Sequence, residues 1–317
     1  MKKILITGAA GQIGTELTTY LQSIYGDDQV IASGRHEELH FNAIYEKLDV
    51  LNAGQLVEVI RRHRVDSVIH LAAILSAKGE SDPEALWQIN MNGLYNVLEA
   101  AKATSVSVFT PSSIAAFGPE TPLDRTPQVT IQRPRTIYGI SKVAGELLCD
   151  YYYHHFDVDT RGVRFPGLIS HEALPGGGTT DYAVHIFYKA IETGGFICDL
   201  EPKTFLDMMY MPDALRAIVE LMEASPTKLA HRNAYNITAM SFSPEILAKE
   251  IQKHLPNFKM AYDINPVKQA IADAWPNSLD DGCARTDWGW KPEYDLPAMT
   301  THMLKVLGAK LRPASTP

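Results

Sequence analysis

The chain has 317 residues, 45% hydrophobic and 21% charged, with a formal net charge of −8. That size and balance predict a folded protein with a full core, built as one large α/β domain with a smaller appendage. The acidic excess argues against nucleic acid or an anionic membrane surface as the main partner.

Strand-like and helix-like runs alternate from the start. Ile4-Leu5-Ile6-Thr7 reads as a short buried strand, followed by Gly8-Ala9-Ala10-Gly11-Gln12-Ile13-Gly14 and a helical stretch from Thr15 to Ser23. Gln29 to Ser33 is the second expected strand and Glu46 to Val50 a short third. Leu56 to His63 has helical spacing, and Ser67 to Leu71 is the fourth strand. Asn92 to Thr104 is amphipathic, with Leu94, Val97, Leu98 and Ala101 on one face. Val106 to Thr110 is the fifth strand, Ser141 to Phe156 a long helix, and Thr160 to Phe165 the sixth strand. This alternation predicts a Rossmann-type doubly wound parallel sheet. After Pro166 glycines, prolines and short elements become frequent, with helical stretches near Pro212 to Glu223, Ser243 to His254 and Leu296 to Leu307. Residues 1–167 are therefore expected to bind a dinucleotide. Residues 168–317 are expected to form a smaller α/β substrate-side region that returns in part to the main sheet, with disorder confined to Arg312 to Pro317.

Cys149, Cys198 and Cys283 are far apart and odd in number. They match no metal-ligand spacing and no disulfide framework, so no metal and a reducing compartment are expected. Met1-Lys2-Lys3 leads directly into the first strand, and no apolar run approaches membrane-spanning length. The expectation is a cytoplasmic protein with no membrane partner.

A glycine-rich turn between a first strand and a first helix is where a dinucleotide pyrophosphate sits. The spacing here is GxxGxxG, and a triplet alone is also what a tight βα turn uses. Tyr138-Gly139-Ile140-Ser141-Lys142 adds chemistry. Four residues apart on a helix, Tyr138 and Lys142 share one face, and an ammonium beside a phenol favours the phenolate. Such a tyrosine takes a proton from an alcohol while a hydride leaves the same carbon. Pro134 just upstream suits a helix that begins near Thr136 or Tyr138. Ser113, after the fifth strand, is the candidate hydroxyl partner at the C-terminal strand edge, where open α/β sheets bind ligands. Serines at such a junction also serve as backbone caps.

The set resembles the extended short-chain dehydrogenase/reductase superfamily, which contains the nucleotide-sugar epimerases. The resemblance runs through the glycine turn, Asp49-Val50, His70-Leu71-Ala72-Ala73, Asn90-Met91-Asn92-Gly93 and the serine/tyrosine/lysine set. Pro111 to Ala115, Arg164 to Ser170, Pro175 to Ala183, Met208 to Met211 and Trp275 to Asp281 are similar to the short-chain type of L-threonine 3-dehydrogenase. The resemblance implies oxidation of L-threonine at its 3-hydroxyl to 2-amino-3-oxobutyrate, with NAD as hydride acceptor. It implies Tyr138 as base, Lys142 as its partner on the nicotinamide ribose and Ser113 holding the substrate oxygen. Gly8, Gly11, Gln12, Ile13 and Gly14 are implied at the pyrophosphate. Asp49 and Val50 are implied at the adenine, and Leu71, Ala72, Ala73, Asn90 and Pro166 elsewhere along the cofactor. Ser76, Thr179 and Thr180 are implied near the substrate. A homodimer is implied through the helices Asn92–Thr104 and Ser141–Phe156.

Other roles stay open. Asp181 is a possible ammonium partner or a helix N-cap. Trp275 is a site wall or a core residue. Tyr151-Tyr152-Tyr153 with His154-His155 reads as helix packing or an oligomer face. One departure bears on the cofactor. Where NAD-selective chains place an acid at the end of the second strand, this chain has Ser33-Gly34-Arg35-His36. Arg35 can pair with a 2′-phosphate, so NADP use stays open, with Glu37 or Glu38 as late substitutes for the acid. Two other functions fit the scaffold: a nucleotide-sugar epimerase or dehydratase, and a dinucleotide-sensing protein without catalysis.

Overall fold

The computed structural model describes residues 1–36, 43–172 and 175–311. Glu37, Glu38 and the tail from Arg312 lie outside the described residues.

The first part builds a parallel sheet from β1 (Ile4–Thr7), β2 (Val30–Gly34), β3 (Ile44–Lys47), β4 (Ser67–His70) and β5 (Ser107–Phe109). Two-residue β6 (Ser112–Ser113) follows, then β7 (Thr160–Arg161). The six-stranded order is β3-β2-β1-β4-β5-β7, every pair parallel, which is the parallel sheet that the alternation predicts. Every residue of β1 and β4 is buried, which is what strands covered on both faces require. Helices α1 (Gln12–Tyr25), α2 (Ala53–His63), α3 (Ser76–Ser81), α4 (Pro83–Trp87), α5 (Gly93–Thr104) and α6 (Ile137–Phe156) connect them. Leu56, Val59 and Ile60 of α2 pack with Leu94, Val97 and Leu98 of α5 against Leu5, Ile31 and Val68.

Several element boundaries differ from expectation, and two strand ends have a clear local cause. The third strand ends at Lys47, short of Val50. Asp49 Oδ1 accepts the N–H of Leu51, and Asn52 Oδ1 accepts that of Gln55, so turn and cap chemistry ends the strand. The sixth strand splits at Gly162 into β7 and β8 (Val163–Phe165). A Cβ at Gly162 would lie 2.6 Å from the carbonyl oxygen of Thr110, so only glycine lets the two backbones approach this closely.

The remainder contains β9 (Gly167–Ile169), α7 (Tyr182–Glu192), β10 (Gly195–Cys198), β11 (Leu206–Tyr210) and α8 (Met211–Glu223). It continues with β12 (Tyr235–Asn236), β13 (Met240–Phe242), α9 (Pro244–His254), β14 (Lys259–Tyr262), α10 (Pro266–Ala272), α11 (Gly282–Trp288) and α12 (Leu296–Leu311). β8 pairs in parallel with both β6 and β12, and β9 pairs with β11. Ala214, Ala217, Ile218 and Leu221 of α8 share a core with Leu17 and Leu21 of α1. Residues beyond 168 thus return to the first part through the β8–β12 pairing and the α1–α8 packing, among other contacts. Among the described residues no helix is long and apolar enough to cross a membrane.

Candidate active site

The glycine turn is shaped for close approach. Gly8 has φ +76°, and a Cβ there would sit 2.6 Å from the backbone nitrogen of Ala72. A Cβ at Gly14 would meet the carbonyl oxygen of Gly8 at 2.6 Å. Helix α1 starts at Gln12, three residues before the expected Thr15, with Gly11 as an extended N-cap that makes no side-chain cap bond. Its first-turn N–H groups are therefore left for an anion. Gln12 Nε2 is buried and has no hydrogen-bond partner among the described residues. A buried orphan donor beside an uncapped helix start fits a dinucleotide pyrophosphate.

Gly34 closes β2, the strand paired with β1, and Arg35 follows it, exposed; neither is among the residues lining the cleft. A Cβ at Gly34 would meet Tyr45 Oη at 3.4 Å, an ordinary contact. Asp49 and Val50 follow β3. Val50 is buried against Gly93, while the Asp49 carboxylate is engaged by Leu51 N–H. Leu71 and Ala73 line the cleft after β4, and buried Pro166 lines it from β8's end. Asn90 is placed behind this cleft. Its amide accepts from Ile74 N at 2.8 Å and donates to Ile74 O at 3.0 Å, holding the loop that carries Leu71 to Ala73.

Tyr138, Lys142 and Ser113 line one open cleft with the glycine turn. Thr136 caps α6 through Gly139 N at 3.0 Å, which sets Tyr138 in the first turn. A Cβ at Gly139 would fall 2.2 Å from the carbonyl oxygen of Ala115, so the helix start presses on the Ser113–Ala116 segment. Lys142 Nζ lies 5.3 Å from the Tyr138 ring centre and donates to Pro111 O at 2.8 Å. Beneath it His70 is buried, with Nδ1 2.8 Å from Thr7 Oγ1. Burial, reinforced by the Lys142 charge, pushes the His70 pKa down to about 3, so its ring is neutral.

The same cleft is closed by buried Ser76 and Thr179, by Thr180, and by Trp275, itself buried. Asp181 occupies the N-cap position of α7 but makes no side-chain bond to that helix. Its Oδ2 instead accepts the N–H groups of Gly177 at 2.9 Å and Gly178 at 2.7 Å, closing the glycine loop on itself. Burial raises its pKa, partly offset by those two bonds. Lys142 is the sole cation and Asp181 the sole acid among the described residues lining the cleft.

Sequence reasoning did not name the apolar walls Leu75, Ile114, Phe165 and Leu168 as site residues, although the last three lie in segments that carry the resemblance. It also left out Glu146, a buried acid one turn beyond Lys142. A charge at an inward helical position was the available signal.

Residues 4–238 match the NAD dependent epimerase/dehydratase family. An uncharacterized epimerase/dehydratase of Staphylococcus saprophyticus is 52% identical over 98% of each chain. Among solved structures, an L-threonine dehydrogenase from Clostridium difficile is 55% identical, with a TM-score of 0.96 over 98% of each chain. The holo form of a GalE-like L-threonine dehydrogenase from Cupriavidus necator is 50% identical, with a TM-score of 0.94 over 96% of this chain and 99% of that one. With the cofactor turn and the Tyr138–Lys142 pair in one cleft, these matches establish that the chain belongs to the NAD dependent epimerase/dehydratase family.

Proposed function

We propose that the chain oxidises L-threonine at its 3-hydroxyl to 2-amino-3-oxobutyrate, with NAD as hydride acceptor. The observation that carries the proposal is the lining of the cleft. Beside Tyr138 and Lys142 it offers neutral hydroxyls and one acid, and no further cation. A small zwitterion suits that lining, whereas a nucleotide diphosphate calls for basic groups. The solved relatives at 50–55% identity are L-threonine dehydrogenases, which supports the same substrate.

NAD supplies the hydride acceptor. Tyr138 takes the proton of the 3-hydroxyl as the hydride leaves C3, and the carbon–oxygen bond becomes a carbonyl. The Ser113 hydroxyl holds the substrate oxygen in place, and Lys142 sets its positive charge beside the Tyr138 ring. Ser76, Thr179 and Thr180 bind the amino-acid end, with Asp181 as the acid facing its ammonium. We infer a cytoplasmic homodimer, since α5 and α6 leave Tyr95, Leu147 and Tyr151 about half exposed or more on their outer faces.

The test is absorbance at the reduced-nicotinamide band with NAD and, separately, with L-threonine or a UDP-sugar. Reduction with L-threonine supports the proposal. Turnover of the UDP-sugar without net reduction points to an epimerase. Cofactor uptake with no turnover of either points to a binding protein.

A further inference from the structure

Helix α6 carries Tyr138 and Lys142, but Ser113 stands on β6, and something must fix one against the other. Two ties run from α6 to the segment Pro111–Ser113. One is Lys142 Nζ to Pro111 O. The other is Glu146, one turn further on, whose Oε1 accepts the hydroxyl of Ser112. Lys142 also lines the cleft, whereas Glu146 does not, so Glu146 is the tie that lies outside the reacting groups.

Its surroundings are built for that. Glu146, Ser112 and Arg164 are each more than nine-tenths buried. Oε1 also accepts Arg164 Nε at 3.0 Å, and Oε2 accepts Arg164 Nη2 at 2.8 Å and Gln132 Nε2 at 3.0 Å. Each oxygen has two donors, which satisfies an ionised carboxylate in the interior. Parallel pairing puts Ser112 beside Arg164 and Ser113 beside Phe165. Strand alternation sends the first pair toward Glu146 and the second toward the cleft, where Phe165 forms part of the wall. One carboxylate therefore locks α6, β6 and β8 together directly behind the reacting groups.

Taking Ser113 and Tyr138 as the reacting pair of the function proposed above, we propose that Glu146, through Ser112, is a positioning residue that sets the Ser113 hydroxyl against Tyr138. Glu146→Gln would strand the Arg164 charge and endanger folding, so the test uses Ser112→Ala, which leaves the ion pair whole. S112A, S113A and the double variant are assayed as NAD-loaded enzyme with L-threonine, or with whichever secondary alcohol the wild type oxidises. With Ser113 present, S112A should lower kcat roughly tenfold to a hundredfold, the scale of a small misplacement of a reacting group. In the S113A background it should cost less than about threefold, because the group being positioned is gone. The KM for NAD should move less than about twofold in S112A. Equal losses in both backgrounds, or an S112A enzyme as fast as wild type, overturns the proposal. Failure of the wild type to use L-threonine is read separately and counts against the substrate, not against the tie.

Discussion

Lys142 Nζ lies 5.3 Å from the centre of the Tyr138 ring and 2.8 Å from the carbonyl oxygen of Pro111. One ammonium thus serves the candidate base and the strand segment that carries Ser113. Helical spacing alone gives the first contact; the second needs the β5–β6 connection to pass under α6.

Tyr138→Phe removes the proton acceptor and keeps the ring. Folding and cofactor binding should survive, with turnover down roughly 10²–10⁴-fold, the range for general acid–base catalysis. Steady-state kinetics on a variant with wild-type circular dichroism checks it. Near-normal turnover would remove Tyr138 from the mechanism.

Lys142→Met should lower turnover, because it removes at once the cation 5.3 Å from the Tyr138 ring centre and the donor to Pro111 O. Steady-state kinetics on a variant with wild-type circular dichroism checks it, and unchanged turnover contradicts the role given to Lys142.

Thr179 and Thr180 line the cleft beside Asp181 and the glycine loop. Replacing both by alanine should raise the KM for L-threonine roughly 5–150-fold, from two neutral hydrogen bonds of about 0.5–1.5 kcal/mol each. The KM for NAD should move far less. An equal rise in both would reassign the loop to the cofactor.

Gly34 ends β2 outside the left-handed region, and the nearest atom to an added Cβ is Tyr45 Oη at 3.4 Å. Gly34→Asp is therefore sterically accommodated. It adds an acceptor for the ribose hydroxyls and a charge opposed to a 2′-phosphate. The kcat/KM ratio should move toward NAD by roughly 10–100-fold, from about 1.5–3 kcal/mol for charge-assisted bonds. Kinetics with both cofactors measures it, and an unchanged ratio places the specificity contact elsewhere.

Glu16 lies on α1, just past the glycine turn, and accepts a hydrogen bond from Ser170. Burial raises its pKa from 4.5 to about 7. A carboxyl raised in the folded state contributes stability that is full below its unfolded value and is lost as pH rises through about 7. Glu16→Gln keeps an acceptor for Ser170 and removes the ionisation. Relative to wild type, its Tm should be higher at about pH 8.5 than at about pH 5, by roughly 1–2 °C per kcal/mol for a chain of this size. Parallel melting curves across that range would contradict the shift.

The parallel sheet and the meeting of Gly8, Ser113, Tyr138 and Lys142 in one cleft were legible because local signals agree with the fold. Buried apolar runs mark β1 and β4, and a cap and a proline bracket the start of α6. What was not legible depended on distant partners. Gly162 breaks a strand because Thr110 passes beside it, and nothing in its own neighbourhood announces that. Glu146 reads as one more helical acid until Arg164, eighteen residues on, is folded against it. Asp181, left open between ammonium partner and cap, sits at the N-cap position of α7, yet its carboxylate turns to the loop N–H groups of Gly177 and Gly178. Side-chain direction at a helix start is a tertiary matter.

The most direct measurement follows the hydride itself. L-Threonine carrying deuterium at C3 is incubated with the protein and NAD, and the reduced cofactor is analysed by mass spectrometry and proton NMR. Transfer from C3 predicts one deuterium at the nicotinamide C4 of the NADH formed, with loss of that label in the Tyr138→Phe variant because little NADH is made. NADH without deuterium, or no reduction at all under saturating substrate, would contradict oxidation of L-threonine at its 3-hydroxyl.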